Sequence, residues 1–359
     1  MFTKMIILEE TEMNSTIKEE TEPKEEERDG LFLYVAVFLM SFIIVVGCIG
    51  NILVIIVVKT KRKLQTASNI FVVNLSMCDL LYVTCVLPFN IYTYLENGWF
   101  LSEHLCKFTG FLGYTLTGTT IITITLIAFN RYKLVHDIHS YKWTFQTKNM
   151  LLMIVIAWTV PVLLMIPPLT QVWGRFGYEH MLGICNLLLD HDSQLFKLFL
   201  LVFRAGIPVV LITHYYVMIY KTTRSSHRRM EKISSTVGSL EASNHRKEMH
   251  LTKMMITIFL VFIVSYFPCT ITGMIDWNHV LSRRFHMFCA ISTYIGSAVN
   301  PLIYGLMNSQ FRRAYRRLLC CCLKRKNQGS SSATHVVIHR VYNVNDTLLA
   351  KSNELEMNL

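Results

Sequence analysis

The feature that most constrains this chain is a series of seven long apolar runs separated by short polar gaps. A helix needs about 20 mostly apolar residues to cross a bilayer, and each run has that length. A soluble protein has no use for seven such runs, so they predict an all-α integral membrane protein, a seven-transmembrane helix bundle. The predicted spans are Leu31–Val58, Ile70–Leu95, Phe108–Phe129, Met150–Leu169, Leu195–Tyr220, Met254–Trp277 and Phe285–Met307.

The charged residues are few, and most of them lie outside these runs. They make up 16% of the 359 residues, and the net charge is +11. Soluble globular proteins carry roughly 25% charged residues, so the low fraction also favours a membrane protein. The bases form short clusters between apolar runs and do not form one long basic surface. The predicted partners therefore include membrane lipids and no nucleic acid.

The sign of the charge alternates from gap to gap. The first gap, "KTKRKLQTAS", has four bases and no acid, and the second, "ENGWFLSEHL", has two acids and no Lys or Arg. The fifth gap, Lys221–Lys253, has eight bases and three acids, whereas the short sixth gap, with Arg283 and Arg284, runs against the trend. Because Lys and Arg concentrate in cytosolic loops, we predict a multi-pass plasma-membrane protein with an extracellular N-terminus and a cytosolic C-terminus.

The two ends of the chain lack the apolar content to fold alone. Residues 1–30 hold ten acids and four bases and are predicted to be a disordered extracellular segment, with glycosylation of Asn14 in the sequon "NST". Residues 31–307 form the predicted membrane domain. Residues 323–359 are predicted to be a disordered cytosolic tail.

Residues 308–322 have the pattern of an amphipathic helix on the membrane surface. Their apolar positions recur at helical spacing between four arginines. Cys320, Cys321 and Cys322 follow, and they predict palmitoylation. A Cys-rich metal site is the alternative, but no matched Cys or His set lies nearby in the sequence. The apolar positions are Phe311, Tyr315, Leu318 and Leu319, and the bases are Arg312, Arg313, Arg316 and Arg317.

Each span carries a short motif or a single marked residue. In chain order they are "GNILV" with Asn51, "NLSMCDLL" with Asp79, Cys106 and "NRY" at the two ends of the third span, Trp158, Pro208 with Tyr216, Phe262 with Pro268, and "NPLIY" from Asn300 to Tyr304. With all of them in order, the chain from about Leu31 to Cys322 resembles the rhodopsin-like (class A) G protein-coupled receptors. The pairing of "NRY" with a pocket that lacks an acid for an amine looks like that of the moody, trapped-in-endoderm and melatonin-receptor group.

The resemblance implies a receptor and not an enzyme. It implies seven membrane helices and a cytosolic eighth helix, an extracellular ligand, and activation of a heterotrimeric G protein. Arrestin and a receptor kinase would be further partners, with Ser330, Ser331, Ser332 and Thr334 as candidate phosphate acceptors. A flexible linker is an equally good interpretation of each of those four residues.

The resemblance also assigns a switch at the cytosolic end of the third span. Arg131 would pair with Glu248 and, once released, would meet Tyr216, Tyr304 and the G protein. Such a pair is a bias of about 1 kcal/mol. Asn130 departs from the acid that the family usually carries there. The switch residues are Asn130, Arg131, Tyr132, Glu248, Tyr216 and Tyr304.

Two further sets lie inside the bundle. Prolines kink helices, so Pro208, Pro268 and Pro301 predict hinges. The transmission set is Ile121, Pro208, Phe262, Tyr266 and Pro268. Asp79 is an acid inside an apolar helix, which is costly without a partner. The polar core would be Asn51, Asp79, Thr120, Ser297 and Asn300, which in the resembling receptors can hold a sodium ion. Gly296 replaces a polar residue there, and a hydrogen-bonded packing network without an ion is an equally good interpretation.

Cysteines on the predicted extracellular side meet an oxidising compartment. Cys106 and Cys185 are the two on that side, and we predict a disulfide between them. The five cysteines within the spans are interpreted as packing residues.

The predicted ligand pocket excludes a biogenic amine, because Gly113 stands where amine-binding relatives place an Asp. Arg204, with Lys197 above it, is suited to a carboxylate or phosphate on a lipid-like or acidic ligand. An internal partner such as Asp276 is an equally good interpretation of Arg204. The pocket candidates are Gly113, Thr117, Lys197, Arg204, Tyr266 and Asp276.

The first candidate function is a receptor for an acidic or lipid-like ligand. A melatonin-like ligand is the second candidate and a peptide the third. A transporter would show internal repeats and paired intramembrane charges, and a channel would show a filter motif. No HExxH, GxSxG or P-loop sequence supports an enzyme. No cofactor is predicted beyond the sodium ion.

Overall fold

A computed structural model describes residues 2–188, 190–232, 238–276 and 280–328, with side chains over 30–188, 190–225, 251–276 and 280–318. In this part of the chain seven helical segments are long and apolar enough to cross a membrane. They confirm the predicted helix bundle. The spans are Gly30–Thr60, Ala67–Leu95, Glu103–His136, Thr147–Leu164, His191–Ser225, Leu251–Ile275 and Arg283–Met307.

The helices are interrupted where the sequence breaks their hydrogen-bond ladder. The helices are α1 (Phe2–Thr60), α2 (Ala67–Cys85), α3 (Leu87–Leu95), α4 (Glu103–His136), α5 (Ile138–Thr144), α6 (Thr147–Leu164), α7 (Ile166–Leu169), α8 (His191–Leu200), α9 (Ile207–Lys232), α10 (Gly238–Ile275), α11 (Arg283–Met307) and α12 (Ser309–Gln328). Pro88 lies in the first turn of α3, and two prolines lie in the first turn of α7. Proline at a first turn removes no intrahelical bond, so these breaks are new helix starts.

α1 contains the N-terminal segment for which we predict disorder. The helix begins at Phe2, and the side chains of residues 1–29 lie outside the described part of the structure. The disorder of that segment stays a prediction. At the other end, α12 is the helix predicted at residues 308–322.

α4 lies at the centre of the bundle and packs against α2, α6 and α9. Its sequence is rich in threonine, which a membrane helix tolerates only if the hydroxyls are bonded. Five threonine hydroxyls donate to the carbonyl four residues earlier, at 2.6–3.0 Å. This bonding inside the helix lets a polar sequence cross an apolar medium. The five are Thr109, Thr117, Thr119, Thr123 and Thr125.

Glycines set two of the closest helix contacts. A Cβ placed on Gly50 would lie 2.8 Å from the Cβ and Cγ of Pro301, and one on Gly118 would lie 2.8 Å from the Cβ of Pro161. Both distances are shorter than real Cβ contacts, so α1 meets α11, and α4 meets α6, only because these positions carry no side chain.

A β-hairpin caps one end of the bundle. Strands β1 (Phe176–Glu179) and β2 (Ile184–Leu187) are antiparallel, with Tyr178 opposite Cys185. A disulfide joins Cys185 to Cys106 at the start of α4, which confirms the predicted pairing. We call this the hairpin end of the bundle and the opposite end, where α4 finishes, the Arg131 end.

Candidate functional site

A cavity of ≈ 830 Å³ lies at the hairpin end, beneath β2 and between α4 and the fifth to seventh spans. Protein pockets for small molecules commonly have volumes of about 300–1,000 Å³. Of the six predicted pocket residues, five line the cavity and Asp276 does not. The five are Gly113, Thr117, Lys197, Arg204 and Tyr266.

Arg204 reaches the cavity from a π-helix, Leu201–Gly206, which joins α8 to α9. A π-turn inserts an extra residue into a helix and occurs often at functional sites. The Arg204 guanidinium carbon lies 5.1 Å from the centre of the Tyr114 ring. Among the described residues no carboxylate lies within 4 Å of this guanidinium. The cavity therefore contains a cation that lies over an aromatic face and meets no described carboxylate.

Lys197 is the second cation on the cavity wall. Its Nζ donates a hydrogen bond to the carbonyl oxygen of Leu188, at 3.0 Å. One ammonium has three donors, so this bond leaves donors for a further acceptor. Arg204 and Lys197 together make the cavity suited to an anionic group.

Steric crowding does not require a glycine at residue 113. A Cβ at this position would lie 3.6 Å from Cγ1 of Val86 and 4.0 Å from Cε2 of Tyr82, which is ordinary contact. A side chain could therefore stand at residue 113, and the chain places none there. The cavity wall therefore has no acid at this position to serve an ammonium ligand.

Asp276 lies outside the cavity lining, in a buried pair with His286. Its Oδ2 is 2.7 Å from His286 Nε2, and its carboxylate accepts from the amides of Val280 at 2.7 Å and Leu281 at 3.1 Å. Burial acts to raise the pKa of Asp276, but the bonds from His286 and the two amides outweigh it and hold the pKa below its usual value. Asp276 thus holds the backbone just before α11 against the end of α10. His286, and not the predicted Asp276, lines the cavity.

Several cavity residues were not predicted. Tyr82 and Tyr294 face each other with ring centres 5.9 Å apart, and Asn90 Nδ2 donates to the Tyr294 hydroxyl at 2.9 Å. A tyrosine within a span has the same sequence signature whether it packs in the core or lines a cavity. The polar Asn90, just after Pro88, was the signal available.

Phe262 and Tyr266 form the floor of the cavity with Ile121. Their rings stack with centres 4.5 Å apart. Tyr266 also faces Gly296, where an added Cβ would lie 3.7 Å from its ring. The predicted transmission residues Ile121, Phe262 and Tyr266 are thus brought together, while Pro208 and Pro268 lie within α9 and α10.

A polar network lies below this floor. Asn300 Nδ2 donates to Asp79 Oδ2 at 2.8 Å, and Asn51 Nδ2 donates to the carbonyl of Ser297 at 2.9 Å. All five predicted polar-core residues, with Thr120 the fifth, are buried. Their carboxylate and hydroxyl oxygens suit a hard cation in kind, whereas Gly296 contributes no side-chain ligand. The sodium ion stays a prediction.

A second network was not predicted. Asn74 Nδ2 donates to the Thr123 hydroxyl at 2.9 Å, and Trp158 Nε1 donates to Asn74 Oδ1 at 2.9 Å. These bonds join α2, α4 and α6. Asn74 lies in the same motif as Asp79, and an amide inside an apolar span was the signal that pointed to it.

The Arg131 end holds the predicted switch residues. Arg131 is 6% exposed, Asn130 and Tyr304 are fully buried, and the Tyr132 ring stacks on Tyr215 with centres 5.3 Å apart. Asn130 Nδ2 donates to the Tyr141 hydroxyl of α5 at 3.5 Å, a long bond.

Tyr216 packs against Phe259, with ring centres 6.5 Å apart. Glu248 lies in α10, but its side chain is outside the described part of the structure. The same holds for the side chains of Asn14, Cys320, Cys321 and Cys322. The roles assigned to these five residues stay predictions.

Comparisons with known proteins agree with this geometry. The family model of the 7 transmembrane receptor (rhodopsin family) matches residues 50–304. The fold is similar to that of squid rhodopsin, with a TM-score of 0.72 over 86% of this chain and 93% of that chain, at 22% identity. The chain belongs to the rhodopsin family of seven-transmembrane receptors, which is a family of receptors and not of enzymes.

Among curated relatives, the G-protein coupled receptor moody of Drosophila pseudoobscura pseudoobscura is 25% identical over 82% of this chain and 55% of the relative. Protein trapped in endoderm-1 of Drosophila melanogaster is 26% identical over 80% and 77%. Melatonin receptor type 1B-B of Danio rerio is 29% identical over 78% and 80%. The chain spans about half the length of the moody receptors that it matches.

Proposed function

We propose that this protein is a G protein-coupled receptor for a non-amine extracellular ligand that carries an anionic group, either a lipid-like molecule or a small acid. The observation that carries this proposal is the Arg204 guanidinium inside the cavity, with no carboxylate within 4 Å among the described residues. A cation without a counter-ion in a low-dielectric site is costly, and a ligand carboxylate or phosphate supplies the missing charge.

The cavity wall supports a lipophilic body on this ligand. Most of the lining is apolar, and part of it lies on the outer faces of the fifth and sixth spans. Val210 is 68% exposed and Phe267 43% exposed, yet both also line the cavity. The cavity therefore reaches the surface that faces the bilayer, which suits a molecule that partitions into lipid.

The orientation and the signalling step follow from the same assignment. The disulfide and hairpin belong on the extracellular side, where thiols are oxidised, and the basic first and fifth gaps belong in the cytosol. The Arg131 end then faces the G protein, and Arg131, Tyr216 and Tyr304 would form its docking site. Arrestin and a receptor kinase would act on the cytosolic tail.

The test is ligand-stimulated nucleotide exchange in cells that express the chain with a panel of G proteins. A screen of lipid and small-molecule acids should find an agonist whose effect disappears in Arg131→Ala. Arg204→Gln should lower agonist potency about 10- to 100-fold. Arg175→Gln is the matched control, because it removes a base at the same end from a half-exposed side chain outside the cavity.

The second candidate is a melatonin-like neutral ligand, and the 29% identity to melatonin receptor type 1B-B favours it. The Asn90–Tyr294 pair and the stacked Phe262 and Tyr266 would hold such an aromatic amide. Activation by melatonin with unchanged potency in Arg204→Gln would replace the first proposal with this one. An ion current in place of nucleotide exchange would refute both.

A further inference from the structure

A second groove lies at the Arg131 end, between α9 and α10, and shares no lining residue with the ligand cavity. Its volume is ≈ 860 Å³. One wall is apolar, formed by Val217, Ile256, Phe259 and Leu260. Val217 is 45% exposed and Leu260 54% exposed, so the groove opens on the surface that faces the bilayer.

The end of this groove nearest the membrane surface is basic. Lys221 and Arg224 lie three residues apart on α9, which places them on one face of the helix, and both line the groove. The apolar run predicted for the fifth span ends at Tyr220, and Lys221 and Arg224 follow directly on the same helix. Bases that follow an apolar run in this way reach the lipid head groups of a bilayer.

Neither base meets a carboxylate among the side chains that the structure describes. Arg224 Nη1 donates to the Tyr220 hydroxyl at 3.2 Å, which orients the guanidinium without adding negative charge. Among the described residues, no carboxylate lies within 4 Å of Lys221 or Arg224. Their donors are therefore available to an anion at the membrane surface.

We propose that this groove binds one anionic glycerophospholipid, with an acyl chain against the apolar wall and the phosphate on Lys221 and Arg224. Charge complementarity selects this occupant. A zwitterionic lipid carries its own cation beside the phosphate, whereas an anionic head group presents net negative charge to two bases that meet no described carboxylate. An apolar helix from another protein would fill the wall but leave both bases without a partner.

The experiment measures how much phospholipid stays bound when the full-length chain is taken from vesicles into detergent. The vesicles contain dioleoylphosphatidylcholine and a minor fraction of dioleoylphosphatidylglycerol, and bound lipid is counted by native mass spectrometry. We expect retained phosphatidylglycerol, and a roughly 30-fold loss of its affinity in Lys221→Gln/Arg224→Gln. The matched control Lys59→Gln/Lys61→Gln, which removes two bases at the end of the first span, should retain the lipid as the native chain does.

A second pair of variants tests the apolar wall without changing charge. Leu260→Trp fills the groove and should also reduce retention, whereas Ile56→Trp, at an exposed lipid-facing position on α1, should not. Thermal unfolding of each variant confirms that it is folded.

Three results would overturn the proposal: equal retention of phosphatidylcholine, equal loss in the Lys59/Lys61 control, or displacement of the lipid by inorganic phosphate alone. The inference depends on the arrangement of the spans and not on the proposed ligand or G protein. A chain that responds to no agonist would leave it standing.

Discussion

The middle of the bundle and the cavity above it are both polar regions within an apolar protein, and they differ in how their polar groups are paired. In the middle, Asn300 bonds Asp79, and Asn74 bonds both Thr123 and Trp158. In the cavity, the charge on Arg204 faces the ring of Tyr114 and no described carboxylate.

This difference separates structural polarity from binding polarity. A paired buried group fixes how helices meet, because removing one partner leaves the other unsatisfied. A buried cation without a counter-ion costs stability, and costs of this kind are common where a site serves binding. Substitutions in the middle should therefore lower stability, and substitutions in the cavity should lower ligand response instead.

The largest expected effect is in the middle. Asp79→Ala leaves the Asn300 amide without its acceptor, and we expect the free energy of unfolding to fall by about 2–3 kcal/mol. The measurement is thermal unfolding in lipid nanodiscs. Asp79→Asn is the control, since it keeps an acceptor oxygen and the volume and should lose less. An Ala variant as stable as the native chain would remove the basis of the comparison.

Next in size is a steric change beside the same network. Gly50→Ala places a Cβ 2.8 Å from Pro301, and overpacking of this kind costs roughly 1–3 kcal/mol. Gly273→Ala is the matched control, because an added Cβ there meets nothing within 4 Å. It should leave stability unchanged or raise it by about 0.5–1 kcal/mol. Equal midpoints for the two variants would contradict the close contact of α1 with α11.

Asn130 is an exception that sharpens the comparison, because among the described residues the side chain of this buried amide makes one long hydrogen bond, to the Tyr141 hydroxyl. Asn130→Asp places a carboxylate beside Arg131 and restrains it by about 1 kcal/mol, so basal nucleotide exchange should fall roughly fivefold. Asn130→Ala, which adds no acid, should not reduce it. Equal basal activity of the native chain and the Asp variant, at matched expression, would refute this prediction.

The smallest expected change in stability is in the cavity. Arg204→Gln removes a cation–aromatic contact worth about 0.5–1 kcal/mol, and relief of an uncompensated charge offsets it. We expect an unfolding midpoint close to that of the native chain, together with the loss of agonist potency described above. A loss of stability as large as that of Asp79→Ala would make Arg204 a structural residue and would end the contrast between the two regions.

The sequence was sufficient to predict features that depend only on one segment and the bilayer around it. The seven spans follow from the length and apolarity that a bilayer requires, and each helical segment overlaps its predicted run, with bounds that differ by at most seven residues. The disulfide partners followed from the side of the membrane on which each cysteine was predicted to lie, and the family followed from motifs that occur in order along the chain. The members of the polar core were predicted from the same motifs.

Tertiary structure alone decided which side chains meet. The π-helix that carries Arg204 into the cavity has no signature in "LVFRAG". The pairing of Asp276 with His286 depends on how the end of α10 lies beside the first turns of α11. The contact of Gly50 with Pro301 joins residues of different helices. A bilayer selects each helix by its own hydropathy, whereas contacts between helices depend on their relative rotation and depth, which the packing of the whole bundle sets.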